Sequence, residues 1–210
     1  MRSVLPVAAL AIIATLLLGS ITGCSVFPKP QVQRTFLFSP LPPLPAVQVA
    51  VETMLPVTLR LATPDASAPL SGSNILVMPA PQEYNAYAGV RWRDQVPTLL
   101  HDRLVQRFRQ QGRWTAVVDE QSRVRSDILL TSYLTAFESR YTQGNSVVVI
   151  GLNVQLINEA RQEVLAERQF EIQQPSSDQR IEAIVETFGR ATDELIHELI
   201  DWTLKHMSEK

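Results

Sequence analysis

This chain has few residues of the kinds that build catalytic or metal sites. Its 210 residues include one cysteine and three histidines, and a lone cysteine provides neither an internal disulfide nor a cysteine-based metal site. The sequence also lacks a glycine-rich phosphate loop, a G-x-S-x-G turn and an H-E-x-x-H pair. A formal net charge of −2 gives no basic surplus for nucleic acid. We therefore expect no metal, no enzymatic activity and no nucleic-acid partner.

The three histidines, His101, His197 and His206, lie in segments with helical periodicity. His101 is followed directly by Asp102, but adjacent side chains on a helix point about 100° apart. Adjacency therefore does not make a histidine–carboxylate pair. We expect all three histidines at the helix surface or at helix ends.

The chain begins with a segment typical of export. Arg2 supplies a positive charge, residues 4–18 are apolar, and small residues lead to Ile21-Thr22-Gly23-Cys24. A membrane-spanning helix would need roughly 20 apolar residues, and Pro6 interrupts this run. The alternatives are an uncleaved membrane helix and an ordinary thiol at Cys24.

This segment resembles a bacterial lipoprotein signal peptide at residues 1–23. The resemblance implies cleavage between Gly23 and Cys24, a diacylglyceryl group on the Cys24 thiol and an acyl chain such as palmitate on its new amino group. Two or more acyl chains hold a protein stably on a bilayer. Ser25 favours sorting to the outer membrane, facing the periplasm, and the inner membrane is the alternative. This covalent lipid is the only cofactor that we expect.

Cleavage would leave 210 − 23 = 187 residues, which is enough for one domain. Residues 24–56 are rich in proline, which fixes φ and removes hydrogen-bond donors. We predict a lipidated, extended tether there with a short edge strand at residues 35–38. It is either a semi-rigid spacer or a PxxP recognition segment. Residues 57–210 are assigned to a single α+β domain.

The first half of this domain combines strands with one helix. Residues 57–61, 74–78 and 115–118 have strand patterns, and residues 79–92 read as a loop or short strand. Between them, Asp94 is a suitable N-cap, Pro97 fits the first helical turn and Gly112 ends the helix. The charged face of that helix is predicted to be solvated, and it carries Asp102, Arg103, Arg107 and Arg109.

The second half has the clearest β pattern. Residues 128–138, 146–157 and 164–172 alternate with period two and predict an antiparallel meander with one core face. Residues 175–178 are a suitable cap for a long amphipathic helix whose apolar stripe should cover that face. The predicted fold is therefore α+β, with a mixed, mainly antiparallel sheet and a three-stranded C-terminal meander packed against two amphipathic helices.

Three aromatic residues between strand and helix are further candidates for partner binding. Tyr84, Tyr87 and Trp92 show little periodicity. They either form an exposed binding surface or pack onto the following helix.

A series of residues spread along the chain carries a family resemblance. It consists of the Cys24 signal, the apolar strand at residues 36–38, and Tyr84, Tyr87, Arg91, Trp92, Pro97, Leu100, Leu104, Phe108, Gly112, Val117 and Val118. This series resembles the ABC-type transport auxiliary lipoprotein family over most of residues 24–205.

The resemblance implies a non-enzymatic adaptor. Such proteins work with an ABC ATPase, a permease and an MCE-domain lipid-binding protein in moving lipids between the inner and outer membranes. A surface of the domain would dock the MCE protein at the outer membrane, and a homo-oligomer is implied by analogy. Two alternatives remain, namely a structural or assembly lipoprotein of another envelope complex and a periplasmic enzyme or small-molecule binder.

Overall fold

A computed structural model describes residues 33–40, 54–142 and 144–208. The predicted signal peptide, Cys24 and residues 25–32 and 41–53 of the predicted tether lie outside these residues. All the described residues belong to one structural unit, residues 33–210. Within them, no helix has both the length and the apolar character needed to cross a membrane.

The described residues form a single nine-stranded sheet and two helices. The strands are β1 Arg34–Phe36, β2 Leu55–Leu61, β3 Asp65–Ala66, β4 Asn74–Met78, β5 Asn85–Trp92, β6 Trp114–Asp119, β7 Ile128–Thr142, β8 Asn145–Asn158 and β9 Glu163–Pro175. The helices are α1 Val96–Gln111 and α2 Ile181–Ser208.

The 15-residue strand β7 organises the sheet. One of its edges pairs antiparallel with β8, which pairs antiparallel with β9. Its other edge is shared by three parallel strands, with β2 near its start, β3 in the middle and β4 near its end. Strand β6 extends the β2 arm, and β5 followed by β1 extends the β4 arm. The sheet is therefore a meander on one side of β7 and a fork on the other.

The meander has a buried face and an outward face. Leu152 and Val154 are buried, whereas Asn153 and Gln155 between and beside them are exposed. Thr135 is an extra residue in β7, and after this bulge the core-facing positions change from Leu134 to Phe137. The predicted alternation of buried and exposed residues is therefore confirmed, and it is displaced by one residue at the bulge in β7.

Both helices share one hydrophobic core with the inward side chains of the meander, and α2 lies against β8 and β9. The centre of this core is aromatic. The Trp92 ring lies 5.4 Å from Phe38, 6.0 Å from Phe137 and 5.3 Å from Phe188, measured between ring centroids. Strand β1, at the edge of the sheet as predicted, leads directly to Phe38. Residues 33–40 are thus integrated into the folded unit.

The helix ends differ from the prediction at two points. Gln95, and not Asp94, is the N-cap of α1, because the Asp94 carboxylate instead accepts a hydrogen bond from Arg93 Nε at 2.7 Å. Helix α2 begins at Ile181, beyond Asp178, whose carboxylate accepts the Arg180 backbone N–H. The predicted C-terminal end of α1 is confirmed, since Gly112 has a φ of 62° that favours glycine.

The predicted solvated face of α1 is wrong for two of its four residues. Arg103 and Arg107 are buried, with 7% and 9% of their surface exposed. Arg103 donates from Nε and Nη2 to the two Asp193 carboxylate oxygens, each at 2.9 Å, and from Nη1 to the Ser39 carbonyl at 2.6 Å. These bonds join α1 to α2 and to the segment after β1. We call these bonds of Arg103 to Asp193 and Ser39 the clasp, and the sequence did not predict it. The predicted α+β class is confirmed.

Candidate functional site

The outward side of the meander, with both helices on its opposite side, is the candidate functional site. Six polar side chains stand there in two rows of directly paired residues, and we call them the open face. The first row is Thr131, Gln155 and Glu167, and the second is Tyr133, Asn153 and Gln169. Asp65 of β3 pairs with Tyr133 and extends the second row. Together these residues line a depression of about 590 Å³.

The polar groups of the open face are largely unused by the fold. Gln155 donates to Glu167 at 3.3 Å. Within the described part of the chain, no hydrogen bond involves the side chains of Tyr133, Asn153 or Gln169. Tyr133 is 44% exposed despite its large ring. The face therefore offers hydroxyl, amide and carboxylate groups together with one aromatic ring, which suits a protein partner better than an acyl chain.

The open face is bounded by a step in the sheet. Gly151 lies beside the second row, and a Cβ at this position would collide with Thr135 Oγ1 and come within 3.3 Å of Ala136 Cβ. The bulge therefore places Thr135 over Gly151, and only glycine leaves room for it. This close approach fixes where the polar rows end.

Two further groups mark opposite ends of β7. Arg123, Arg125 and Arg161 are exposed in the loops that precede β7 and follow β8, and we call them the arginine tip. Val124 between the first two is 55% exposed. Tyr84, Tyr87 and Tyr141 lie at the other end, where β4 and β7 finish, and we call them the tyrosine end.

The tyrosine end surrounds a buried carboxylate that is paired with a partly exposed arginine. Glu138 has no exposed surface, and its carboxylate accepts the Phe137 N–H at 2.7 Å and Arg140 Nη2 at 2.6 Å. Burial, followed by the nearby Glu138 charge, raises the pKa of Tyr84, and Arg140 opposes this shift.

Tyr87 lies deeper at the same end. Its hydroxyl is 3.0 Å from Ser139 Oγ, and burial of the phenol is the main reason that its pKa rises to about 12. The Ser139 hydrogen bond lowers that pKa, while Tyr141 raises it.

The three aromatic residues predicted for partner binding occupy three different environments. Tyr84 is 42% exposed, Tyr87 is half-buried and Trp92 is completely buried. Trp92 belongs to the core and so is not part of any surface. Only Tyr84, and in part Tyr87, remains available to a partner. The sequence did not identify the open face as a site, although it did predict that Asn153 and Gln155 lie on the face opposite to the core.

The histidines do not converge on a site. His101 is mostly buried and its Nε2 donates to the Leu61 carbonyl at 3.2 Å, so the predicted surface position is wrong for this residue. Its Nδ1 lies 3.7 Å from the Asp102 carboxylate, too far for a hydrogen bond. His197 is exposed and His206 donates to the Trp202 carbonyl. The part of the chain that the structure describes holds no group of three metal-ligating side chains.

Comparison with known proteins adds a family assignment. A family model described as the ABC-type transport auxiliary lipoprotein component matches residues 39–199. No curated protein matches the chain.

Solved structures share the fold. A crystal structure of a Xanthomonas campestris protein assigned to the DUF330 family has 29% sequence identity and a TM-score of 0.73, and the match covers 83% of this chain and 97% of that one. An uncharacterized protein matches at 15% identity and a TM-score of 0.63, over 80% of this chain and 96% of its own. A hypothetical protein of Chlamydia trachomatis matches at 4% identity and 0.54, over 74% and 99%. The last two show the fold alone.

Proposed function

Since this chain belongs to the family of ABC-type transport auxiliary lipoprotein components, we propose that it is a non-enzymatic adaptor of an ABC transport system that moves lipids between membranes. Its partners are an ABC ATPase, a permease and an MCE-domain lipid-binding protein. The adaptor holds the MCE-domain subunit at the membrane to which it is itself anchored.

Anchoring is assigned to Cys24, acylated after cleavage of residues 1–23. Residues 24–32 connect this anchor to the folded unit, which faces the periplasm, and Ser25 favours the outer membrane over the inner one. The lipoprotein character of the family supports this anchor. Several acyl chains on one residue give stable attachment, so no membrane-spanning helix is needed.

Docking is assigned to the open face, and one observation carries this assignment. The two helices cover the inward side of the meander, while the outward side presents six aligned polar residues whose hydrogen-bonding groups are mostly free. Free amides and an exposed tyrosine can form bonds with a protein partner without first breaking internal ones. Tyr133 is the residue that we expect to contribute most, because tyrosine is enriched among the dominant residues of interfaces.

The test places a photo-crosslinking residue at position 169 on the open face, in cells that contain the whole transport system. The matched control is position 186, on the exposed side of α2, where Glu186 is 68% exposed. Purification through a C-terminal tag and mass spectrometry then identify the crosslinked proteins. We expect an MCE-domain protein from position 169 and much less from position 186.

Tyr133→Ala provides the quantitative part. We expect recovery of the MCE-domain protein to fall by about tenfold, the effect of removing a central interface tyrosine. Recovery of another envelope complex, without any transporter subunit, would instead favour an assembly lipoprotein. Equal crosslinking from both positions would contradict docking through the open face.

A further inference from the structure

We propose that the tyrosine end is a second contact with the bilayer that carries the lipid anchor, so that the domain stands with its arginine tip directed away from that membrane. This inference rests on the proposed function only in assuming the anchor at Cys24. It requires no partner protein.

The direction of β1 carries the first step. Strand β1 is parallel to β5, β5 is antiparallel to β4, and β4 is parallel to β7. Strand β1 therefore runs opposite to β7, and the chain joins the sheet from the side of the tyrosine end. The Arg34 guanidinium lies 2.5 Å from Glu182 in the first turn of α2. That turn follows β9, whose last residues pair with the start of β8 beside the tyrosine end.

The length of the connecting chain carries the second step. Between Cys24 and Gln33 there are 33 − 24 = 9 residue steps, and these span at most about 30 Å when fully extended. The strand pairings place Arg34 at the level of the β7 residues that follow Ala136. This level is at least eight residue steps, or about 26 Å, from Ile128 at the start of β7. The arginine tip could reach the anchoring bilayer only with this connection fully stretched, whereas the tyrosine end reaches it easily.

The chemistry of the tyrosine end carries the third step. Tyr84 and Tyr141 are 42% and 40% exposed. Two large aromatic rings at one end of a domain are usually more deeply buried against the protein. Tyrosine favours the boundary between headgroups and acyl chains, because its ring is apolar and its hydroxyl remains hydrated. Arg140 beside Tyr84 has 38% of its side chain exposed and could meet lipid phosphates.

Single thiols allow the orientation to be measured on the full acylated chain. Cys24 is the sole native cysteine, so once it is acylated, Asn145→Cys or Arg123→Cys introduces the only thiol. Each variant is labelled with a fluorophore and reconstituted in phosphatidylethanolamine–phosphatidylglycerol vesicles that contain a headgroup-bound quencher. We expect a label at residue 145 to be quenched at least about threefold more strongly than one at residue 123, because the two positions lie near opposite ends of β7, about 45 Å apart.

Two tyrosine variants make the test specific. Tyr84→Ala combined with Tyr141→Ala should reduce this difference at least twofold, and Tyr84→Ala alone should reduce it in part without touching the core. Tyr133→Ala is the matched control, because Tyr133 is 44% exposed but lies on the open face, and it should leave the difference unchanged. Thermal unfolding of each variant verifies that it is folded.

Equal quenching at the two labels, or stronger quenching at residue 123, would overturn the orientation. No effect of the tyrosine substitutions would overturn the membrane contact. Failure of the chain to float with the vesicles would contradict the anchor, and with it the proposed function. A missing transporter partner in the crosslinking experiment would leave this measurement unaffected.

Discussion

Replacement of Asp193 by alanine removes the carboxylate that pairs with Arg103 in the clasp. The remaining Arg103 guanidinium is only 7% exposed, and the Arg107 guanidinium lies 3.5 Å from the same carboxylate. Removing one partner of a fully buried ion pair costs about 3–5 kcal/mol. Because the Asp193 side chain is 28% exposed, water reaches this site in part, and we expect a loss near the lower end, about 3 kcal/mol.

The assay is thermal and urea unfolding of the variant beside the wild type. For a domain of this size, 1 kcal/mol corresponds to about 2–4 °C in Tm, so the expected decrease is roughly 6–12 °C. Arg103→Met combined with Asp193→Leu is the control, since replacing both members of a buried pair by apolar residues is often nearly neutral. That double variant should recover to within about 1–2 kcal/mol of the wild type; the lost bond to the Ser39 carbonyl and the lost contact between Arg107 and Asp193 account for the remainder.

Loss of less than about 0.5 kcal/mol from Asp193→Ala would refute this reasoning, because surface pairs contribute in that range. The charged side of α1 would then be solvated, as the helical pattern alone predicts. A double variant that is less stable than Asp193→Ala would equally contradict the argument, since it would mean that the Arg103 charge is stabilising without its partner.

Three further predictions address other parts of the molecule. Gly151→Ala should lower the free energy of unfolding by about 1–3 kcal/mol, because the new Cβ collides with Thr135; chemical denaturation measures this, and Thr135→Ala in the same chain should restore part of the loss. Tyr87 has a pKa of about 12 when folded and about 10 when unfolded, so the unfolded state ionises first and stability should fall between pH 10 and 12, by about 1 kcal/mol after discounting for its partial exposure. Tyr87→Phe should show a smaller fall over that range, and an identical pH dependence of the two proteins would contradict the assignment. Cys24→Ala should abolish processing and membrane retention; unchanged precursor size and unchanged fractionation would exclude the lipoprotein anchor.

Period-two alternation was sufficient to predict the meander, because each of its strands has one face in the core. Leu152 and Val154 are buried and Asn153 is exposed for this reason alone. The fork at β7 has no such local signal. Strands β2, β3 and β4 share one edge of β7 through pairings between residues that are 62 to 69 positions apart, as in Leu59 with Ile128 and Leu76 with Glu138.

The buried arginines of α1 show a second limit. Helical spacing places Arg103 and Arg107 away from the main apolar stripe, and such a position is usually solvated. Whether it is solvated here depends on Asp193, 90 residues later in the sequence.

The three aromatic candidates do not share one surface because β5 is irregular, and of the three only Trp92 is completely buried. Between its pairings with Leu76 and Asn74 the strand holds several extra residues, and Gly89 has a φ of 70°. The side chains of Tyr87 and Trp92 therefore do not follow a simple alternation. The outward positions of the meander were predicted from the sequence, and the open face consists of such positions. Whether that side remains uncovered depends on where both helices pack, which the sequence pattern does not show.

The three surfaces are positioned by one strand, and this restricts how a partner can bind. Tyr141 and Tyr133 are eight residues apart on β7, so with the tyrosine end at the bilayer the open face is about 25 Å above it. It is then directed sideways, and a partner subunit has to lie beside the domain at that height instead of resting on the arginine tip. Before docking, this face is in contact with water. An apolar face of this size would favour aggregation, whereas aligned amides and hydroxyls remain hydrated until a partner with matching groups replaces the water.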